Sequence, residues 1–241
     1  MAADTWGGHP APDRRNQASD LNPRLERLTD LERRSLLAEQ VRQQAHRLRT
    51  PLSVINLVAE TLQLQAQSDE GRAERLARIQ GAAGSLANEL SVAVNAVRFG
   101  DGPRQRLDPT RLAAEVVSTF GGQVVTATAA SAKTTMAVEP ASLEAALVHA
   151  MRLVGVGTDC NGICAQRPML EVQRNNGDLL LVVSAQGSQP ADTPRERVDL
   201  RLMAQAAERA ANDHCGRLTL GPDKVTFRLP LGGDGCNGIE C

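Results

Sequence analysis

Among 241 residues, imidazoles and thiols, the side chains most ready to act as nucleophiles or metal ligands near neutral pH, are few: four histidines and five cysteines. His46 stands in the stretch Gln44-Ala-His-Arg-Leu-Arg-Thr-Pro-Leu-Ser-Val-Ile-Asn-Leu57, next to Arg47, with Arg49 and Pro51 close behind. An imidazole is a nucleophile near neutral pH, and guanidinium groups beside it can hold a phosphoryl group. Thr50 is one helical turn on and therefore on the same face. Pro51 cannot donate to the carbonyl of Arg47 and its ring pushes that carbonyl away, so a helix through this stretch is expected to bend. The plainer reading is a surface histidine on a kinked coiled-coil helix.

A second constellation is made of thiols. Cys160-Asn-Gly-Ile-Cys164 recurs as Cys236-Asn-Gly-Ile-Glu-Cys241. Four thiols could bind zinc or an iron–sulfur cluster, or form a redox switch. The gaps are looser than a Cys-x-x-Cys knuckle, and two Asn-Gly turns carrying incidental thiols read the same. No disulfide framework is expected, so the cysteines read as reduced thiols. Cys215 reads as structural, His149 as a surface or packing residue, and His9 as part of a disordered lead.

The elements that must carry His46 follow from periodicity. Val41, Ala45, Leu48, Leu52, Ile55, Ala59 and Leu62 step by four and three, the seam of a helix packed on other helices. His46 lies one residue off that seam, at the edge of the packed face. The helix is expected from about Leu25 to Gln67, with Leu28, Leu31, Leu36 and Leu37 continuing the apolar face. Ser68-Asp-Glu-Gly71 turns the chain, and Leu76, Ile79, Ala83, Leu86, Leu90, Ala93 and Val97 form a return seam. One hairpin cannot cover its own seam, so two chains are expected to form a four-helix bundle.

Phe99-Gly-Asp-Gly-Pro103 is a linker, after which the pattern changes class. A capped helix is expected at Asp108–Phe120, a second helix at Pro140–Val154 and a third at Asp199–Asp213. Short strands are expected at Gln123–Ala127, Met136–Val138, Met169–Arg174, Leu179–Val183, Arg217–Leu220 and Val225–Leu229. Asn175-Asn-Gly-Asp178 is a hairpin turn. The fold class is α+β, with helices on one face of a mixed sheet. The expected division is a disordered lead (1–22), a helical-hairpin dimerisation domain (23–100), an α/β sandwich (104–231) and a Cys/Gly-rich tail (232–241).

The 27 Lys plus Arg against 28 Asp plus Glu give no electrostatic case for nucleic acid or anionic membrane. No apolar run reaches bilayer length and no signal core opens the chain, so a soluble, cytoplasmic protein is expected. With no Tyr, one Trp and three Phe, cores must be built from Leu, Val, Ile and Ala.

His46-Arg-Leu-Arg-Thr-Pro-Leu52 resembles the phosphoacceptor box of two-component sensor histidine kinases, His-Glu-Leu-Arg-Thr-Pro-Leu, departing only at Arg47, where the family has its acidic residue. The order of elements after the linker is similar to the family's ATP-binding domain, and Cys215-Gly-Arg-Leu-Thr-Leu…Val-Thr-Phe-Arg-Leu-Pro230 to its usual ending. The resemblance covers about residues 25–231, and no sizeable upstream sensory region is expected.

The resemblance implies His46 as nucleophile and phosphoacceptor, Thr50 as the position that orients water for regulator dephosphorylation, and a docking face at Leu52, Ile55 and Asn56 for a response-regulator receiver domain. It also implies places for Mg-ATP chemistry, and these are empty of it. Leu153 falls where a Mg-coordinating Asn belongs, and an aliphatic side chain cannot hold a hard cation. Ala185 replaces the adenine-reading Asp, with Gly187 alone remaining of that turn's glycine pair. Arg201-Leu-Met-Ala204 has no glycine to let backbone approach phosphate. Arg47 disfavours the protonated imidazole yet could, with Arg49, steady a phosphoryl group arriving from elsewhere.

The expectation is a homodimeric histidine phosphotransferase or phosphorelay regulator that binds no ATP or metal of its own, Mg²⁺ coming from the partner regulator's acidic pocket. The alternatives are an active sensor kinase with a divergent ATP site, or a non-catalytic scaffold binding a regulator or kinase.

Overall fold

The computed structural model describes residues 14–65, 70–126, 134–156, 166–186 and 197–231. Cys160, Cys164, Cys236, Cys241, Gly187, His9 and the first half of the Ser68–Gly71 turn lie outside the described residues.

Helix α1 (Arg14–Gln65) and helix α2 (Glu70–Ala96) form the expected hairpin. The lead was expected to be disordered to residue 22, but α1 is already helical from Arg14 and passes through both Pro23 and Pro51. The missing N–H of each proline removes one bond from a helix of 52 residues, and packing along α1 holds the remainder.

Beyond the linker come β1 (Gln105–Leu107), α3 (Pro109–Thr119), β2 (Gln123–Thr126), β3 (Met136–Val138), α4 (Pro140–Leu153), β4 (Arg167–Asn175), β5 (Asp178–Gln186), α5 (Arg197–Asp213), β6 (Arg217–Leu220) and β7 (Lys224–Pro230). Five strands form a mixed sheet in the order β2-β4-β5-β7-β6, with β2 parallel to β4 and the remaining pairs antiparallel. β3 is not part of it. It pairs antiparallel with β1, a strand too short and polar to stand out in the sequence.

Local chemistry explains the boundaries. Asp108 caps α3 by accepting from the Thr110 amide, with Pro109 in the first turn. Glu139 caps α4 by accepting from the amides of Ala141 and Ser142. In the β4–β5 turn Asn176 and Gly177 both have positive φ, 50° and 86°, as a two-residue hairpin loop of matching twist requires.

Period-two burial turns Leu179, Leu181 and Val183 of β5 and Val225, Phe227 and Leu229 of β7 toward the helices. They meet Val116 and Val117 of α3, Leu143, Leu147 and Met151 of α4 and Ala207 and Ala211 of α5 in one core. Each fully buried large side chain there contributes about 1.5–3 kcal/mol of apolar transfer.

The expected domain boundary at residue 23 needs correcting. Leu28, on α1, is fully buried in this same core, with Leu25 and Leu31 packed against it. α1 therefore has two partners. Its first half lies over α4 and α5 as an outer layer of the α/β unit, and only its second half packs on α2. Leu37, expected on the continuous seam, is exposed.

Candidate functional site

The docking of α1 on the α/β unit determines where His46 sits. Down the first half of α1 runs a file of polar contacts to the helices beneath. Arg24 pairs with Glu115 at 2.8 Å, Arg27 with Glu144 at 2.7 Å, Glu32 with Arg152 at 3.1 Å and Glu39 with Arg209 at 2.9 Å. Between the last two, Ser35 Oγ meets His149 Nε2 at 3.1 Å. One turn beyond Glu39, the Gln43 amide donates to the Gln205 side-chain oxygen.

Burial alone would raise the Glu39 carboxyl, but hydrogen bonds and charge from Arg209 and Arg42 outweigh it and hold the group below the ordinary carboxylate range. The bond to Glu39 in turn raises Arg209. Glu115 is lowered, chiefly by its bond to Arg24. His149, one of the two alternatives read from the sequence, is a packing residue. It is fully buried, and desolvation, with the nearby Arg152 charge, pushes its imidazole from 6.5 to about 4. His214 is also buried, its Nδ1 against the Ala210 carbonyl at 2.6 Å and its Nε2 accepting from the Glu139 amide at 3.0 Å, which ties α5 to the start of α4. Cys215, expected as a reduced thiol, is disulfide-bonded.

His46 follows Glu39 and Gln43 on the same face of α1, at the point where α1 leaves the α/β unit. The imidazole is exposed. It lines an open cleft of about 930 Å³ between α1, the end of α2 and α5. Arg42, Arg47 and Arg49 enter this cleft from α1, and Arg201 and Arg209 from α5; among the described residues its acidic groups are Glu39, Glu208 and Asp213. Arg49 also reaches Ser91 of α2 at 3.4 Å. Thr50 is exposed one turn beyond His46. The cleft thus offers an accessible imidazole nucleophile amid more positive than negative side chains, a setting that favours an anionic group on or near the ring.

The expected docking residues divide. Ile55 is exposed, Asn56 is half-buried, and Leu52 is buried at 7% exposure, so Leu52 is not available on the surface to a docking partner. Leu153, Ala185 and Val154 pack against the core of the α/β unit. Neither Leu153 nor Ala185 presents an oxygen or a donor, so these two positions do not fit a magnesium ion or an adenine amino group. The described residues contain no group of three His, Cys, Asp or Glu side chains placed to hold a metal, and none of their helices is long and apolar enough to cross a membrane.

The α5 wall of the cleft and the polar file under α1 were not read from the sequence. Glu32, Ser35 and Glu39 recur at three and four on α1, a stripe that could have marked a polar docking face but that equally describes a solvated one.

No protein-family model and no curated protein matches the chain. Solved structures do match it. A histidine kinase from Burkholderia phymatum STM815 is 15% identical and aligns over 79% of this chain and 99% of its own, with a TM-score of 0.40. AdeS of Acinetobacter baumannii is 13% identical over 78% of this chain and 98% of its own, TM-score 0.39. ThkA, solved in complex with the response regulator protein TrrA, is 12% identical over 92% of this chain and 68% of its own, TM-score 0.40. These neighbours are histidine kinases. At such identities and scores they assign no role to any residue of this chain.

Proposed function

We propose that this chain is a two-component signalling protein that works as a homodimeric histidine phosphotransferase, taking a phosphoryl group on His46 from a response-regulator aspartate without using ATP. The observation that carries the reading is the exposed His46, within a phosphoacceptor-like box, opening into an arginine-lined cleft.

In the transfer, the lone pair of the unprotonated ring nitrogen of His46 attacks phosphorus and a P–N bond forms. The P–O bond to the regulator's aspartate breaks, the carboxylate leaves with its electron pair, and the ring N–H proton passes to water. The reverse sequence returns the group. Arg47 and Arg49 offset the charge of the phosphoryl oxygens. Thr50, one turn away, is placed to orient a water for dephosphorylation of the regulator. Magnesium belongs to the regulator's acidic pocket. The apolar Leu153 and Ala185 support a unit that has lost nucleotide chemistry.

Dimerisation is supported by the hairpin's two seams. Ala45, Leu52 and Ala59 of α1 and Leu76 and Ala83 of α2 are buried, whereas Leu48, Ile55, Ile79 and Leu86 are exposed at the same seven-residue spacing. Single exposed apolar residues are ordinary, but two aligned stripes are not. A second copy carrying the same stripes closes a four-helix bundle.

The test is incubation with a phosphorylated receiver domain. Acid-labile label is expected on the wild-type chain and absent from His46→Ala; label that persists in that variant overturns the assignment. A parallel titration with Mg-ATP is expected to leave the melting temperature unmoved, and a concentration-dependent rise would restore the kinase reading.

A further inference from the structure

α1 and α5 run antiparallel across the docking interface, and their contacts step along both helices by one turn at a time. Glu39 faces Arg209 in an ion pair, and Gln43 faces Gln205 in a neutral hydrogen bond. Continuing the same four-residue step on each helix makes Arg47 and Arg201 the next pair in register, and both line the same cleft. An attractive rung and a neutral rung are followed by two like charges. Both guanidiniums line the cleft that holds His46, both are exposed, and neither makes a hydrogen bond or ion pair among the described residues.

Among the described residues, the acidic groups of the cleft supply no counter-charge at this rung. Glu39 is committed to Arg209 and Arg42, and Glu208 and Asp213 lie about two and three turns further along α5 than Arg201. Facing arginines without an anion repel; with one between them they become a two-sided clamp, each able to offer paired N–H groups to tetrahedral oxygens.

We propose that Arg47 of α1 and Arg201 of α5 form a phosphate-binding clamp that closes on the phosphoryl group at His46. This rests on the reading of His46 as phosphoacceptor and extends it: the α/β unit supplies half of the binding site, and Arg201 is its contribution. A bound phosphoryl group also changes the last rung from repulsive to attractive, so occupancy at His46 tightens the seat of α1 on α5.

The clamp is testable on the unphosphorylated full chain. Inorganic phosphate is titrated while the ring resonances of His46 are followed by NMR, with chloride at matched ionic strength as reference. A saturable shift is expected with phosphate and not with chloride. Arg201→Ala and Arg47→Ala are each expected to weaken it about three- to tenfold, the scale of one charge-assisted hydrogen bond at a solvent-accessible site, with Arg201→Lys between them and the wild type. Arg201→Glu gives a reading that a merely structural arginine would not: phosphate binding is abolished while the melting temperature rises, because Glu at that position pairs with Arg47.

Absence of a saturable shift at His46, or an unchanged shift in Arg201→Ala, overturns the clamp. So does Arg201→Glu leaving phosphate binding intact. These outcomes are separate from failure of the phosphotransfer reading, which shows instead as absence of label on His46 from a phosphorylated receiver domain.

Discussion

The two halves of α1 solve opposite problems with the same helical periodicity. Residues 24–43 lie on a second unit of their own chain and fill the interface with charge pairs, the buried Ser35–His149 contact and Leu28. Residues 45–65 pack on α2 through alanine and leucine and leave Leu48, Ile55, Leu57 and Val58 exposed. The first half finds most of its partners within the chain, and the second leaves an apolar stripe uncovered. His46 lies at the junction. The contrast teaches that the half of α1 seated on its own chain buries charged and polar groups alongside Leu28, whereas the other half buries only alanine and leucine and keeps an apolar stripe exposed.

The sharpest way to break the contrast is to unseat the first half. Arg152→Ala removes the partner of Glu32, whose side chain is 8% exposed, together with the stacking of Arg152 over Phe120. A buried carboxylate left without its cation costs about 3–5 kcal/mol, read by denaturant unfolding. A loss under about 1 kcal/mol would mean that apolar packing alone holds α1 in place.

Next comes pH. His149 is held at about 4 in the fold against 6.5 when free, so on acidification the unfolded chain takes up the proton first. The stability this group confers is whole above pH 6.5 and is lost between pH 6.5 and about 4. The expected fall is about 3 kcal/mol over that window, and it should vanish in His149→Leu when the two unfolding profiles are compared.

The second half is probed from its exposed stripe. Ile55→Asp is expected to weaken self-association by about 2 kcal/mol or more, because each copy then presents a charge to an apolar partner. Sedimentation should show monomer at concentrations where the parent is dimeric, with an unchanged far-UV spectrum. A parent chain that sediments as monomer throughout would remove the bundle. The smallest effect is a control outside both halves: Asp108→Ala uncaps α3, costs about 1 kcal/mol, and leaves sedimentation and His46 labelling untouched.

Much of this was legible in the residues. Turn chemistry at Asn175–Asp178, the cap at Asp108 and the apolar pattern of β5 are local signals, and the elements fall within a few residues of expectation, whereas the Glu139 cap of α4 went unread. What local pattern could not supply is partnership. Leu28, Leu31 and Leu37 share the spacing of the true hairpin seam, and a periodicity of three and four does not say whether the neighbour is α2 or α4. Glu32 and Glu39 carry no local signal of their pairing, because their arginines stand at positions 152 and 209, far along the chain. The basic wall across from His46 is hidden for the same reason, since Arg201 meets the cleft only once α5 is laid against α1.

The unbroken run of α1 has a mechanical meaning. At 52 residues it spans about 78 Å, and no loop interrupts it where the two units meet. The α/β unit is therefore no bead on a string. It can roll only with the shaft it is bolted to, or detach after every polar rung has let go, and His46 is mounted at the coupling, where any torque between stalk and head would be felt first.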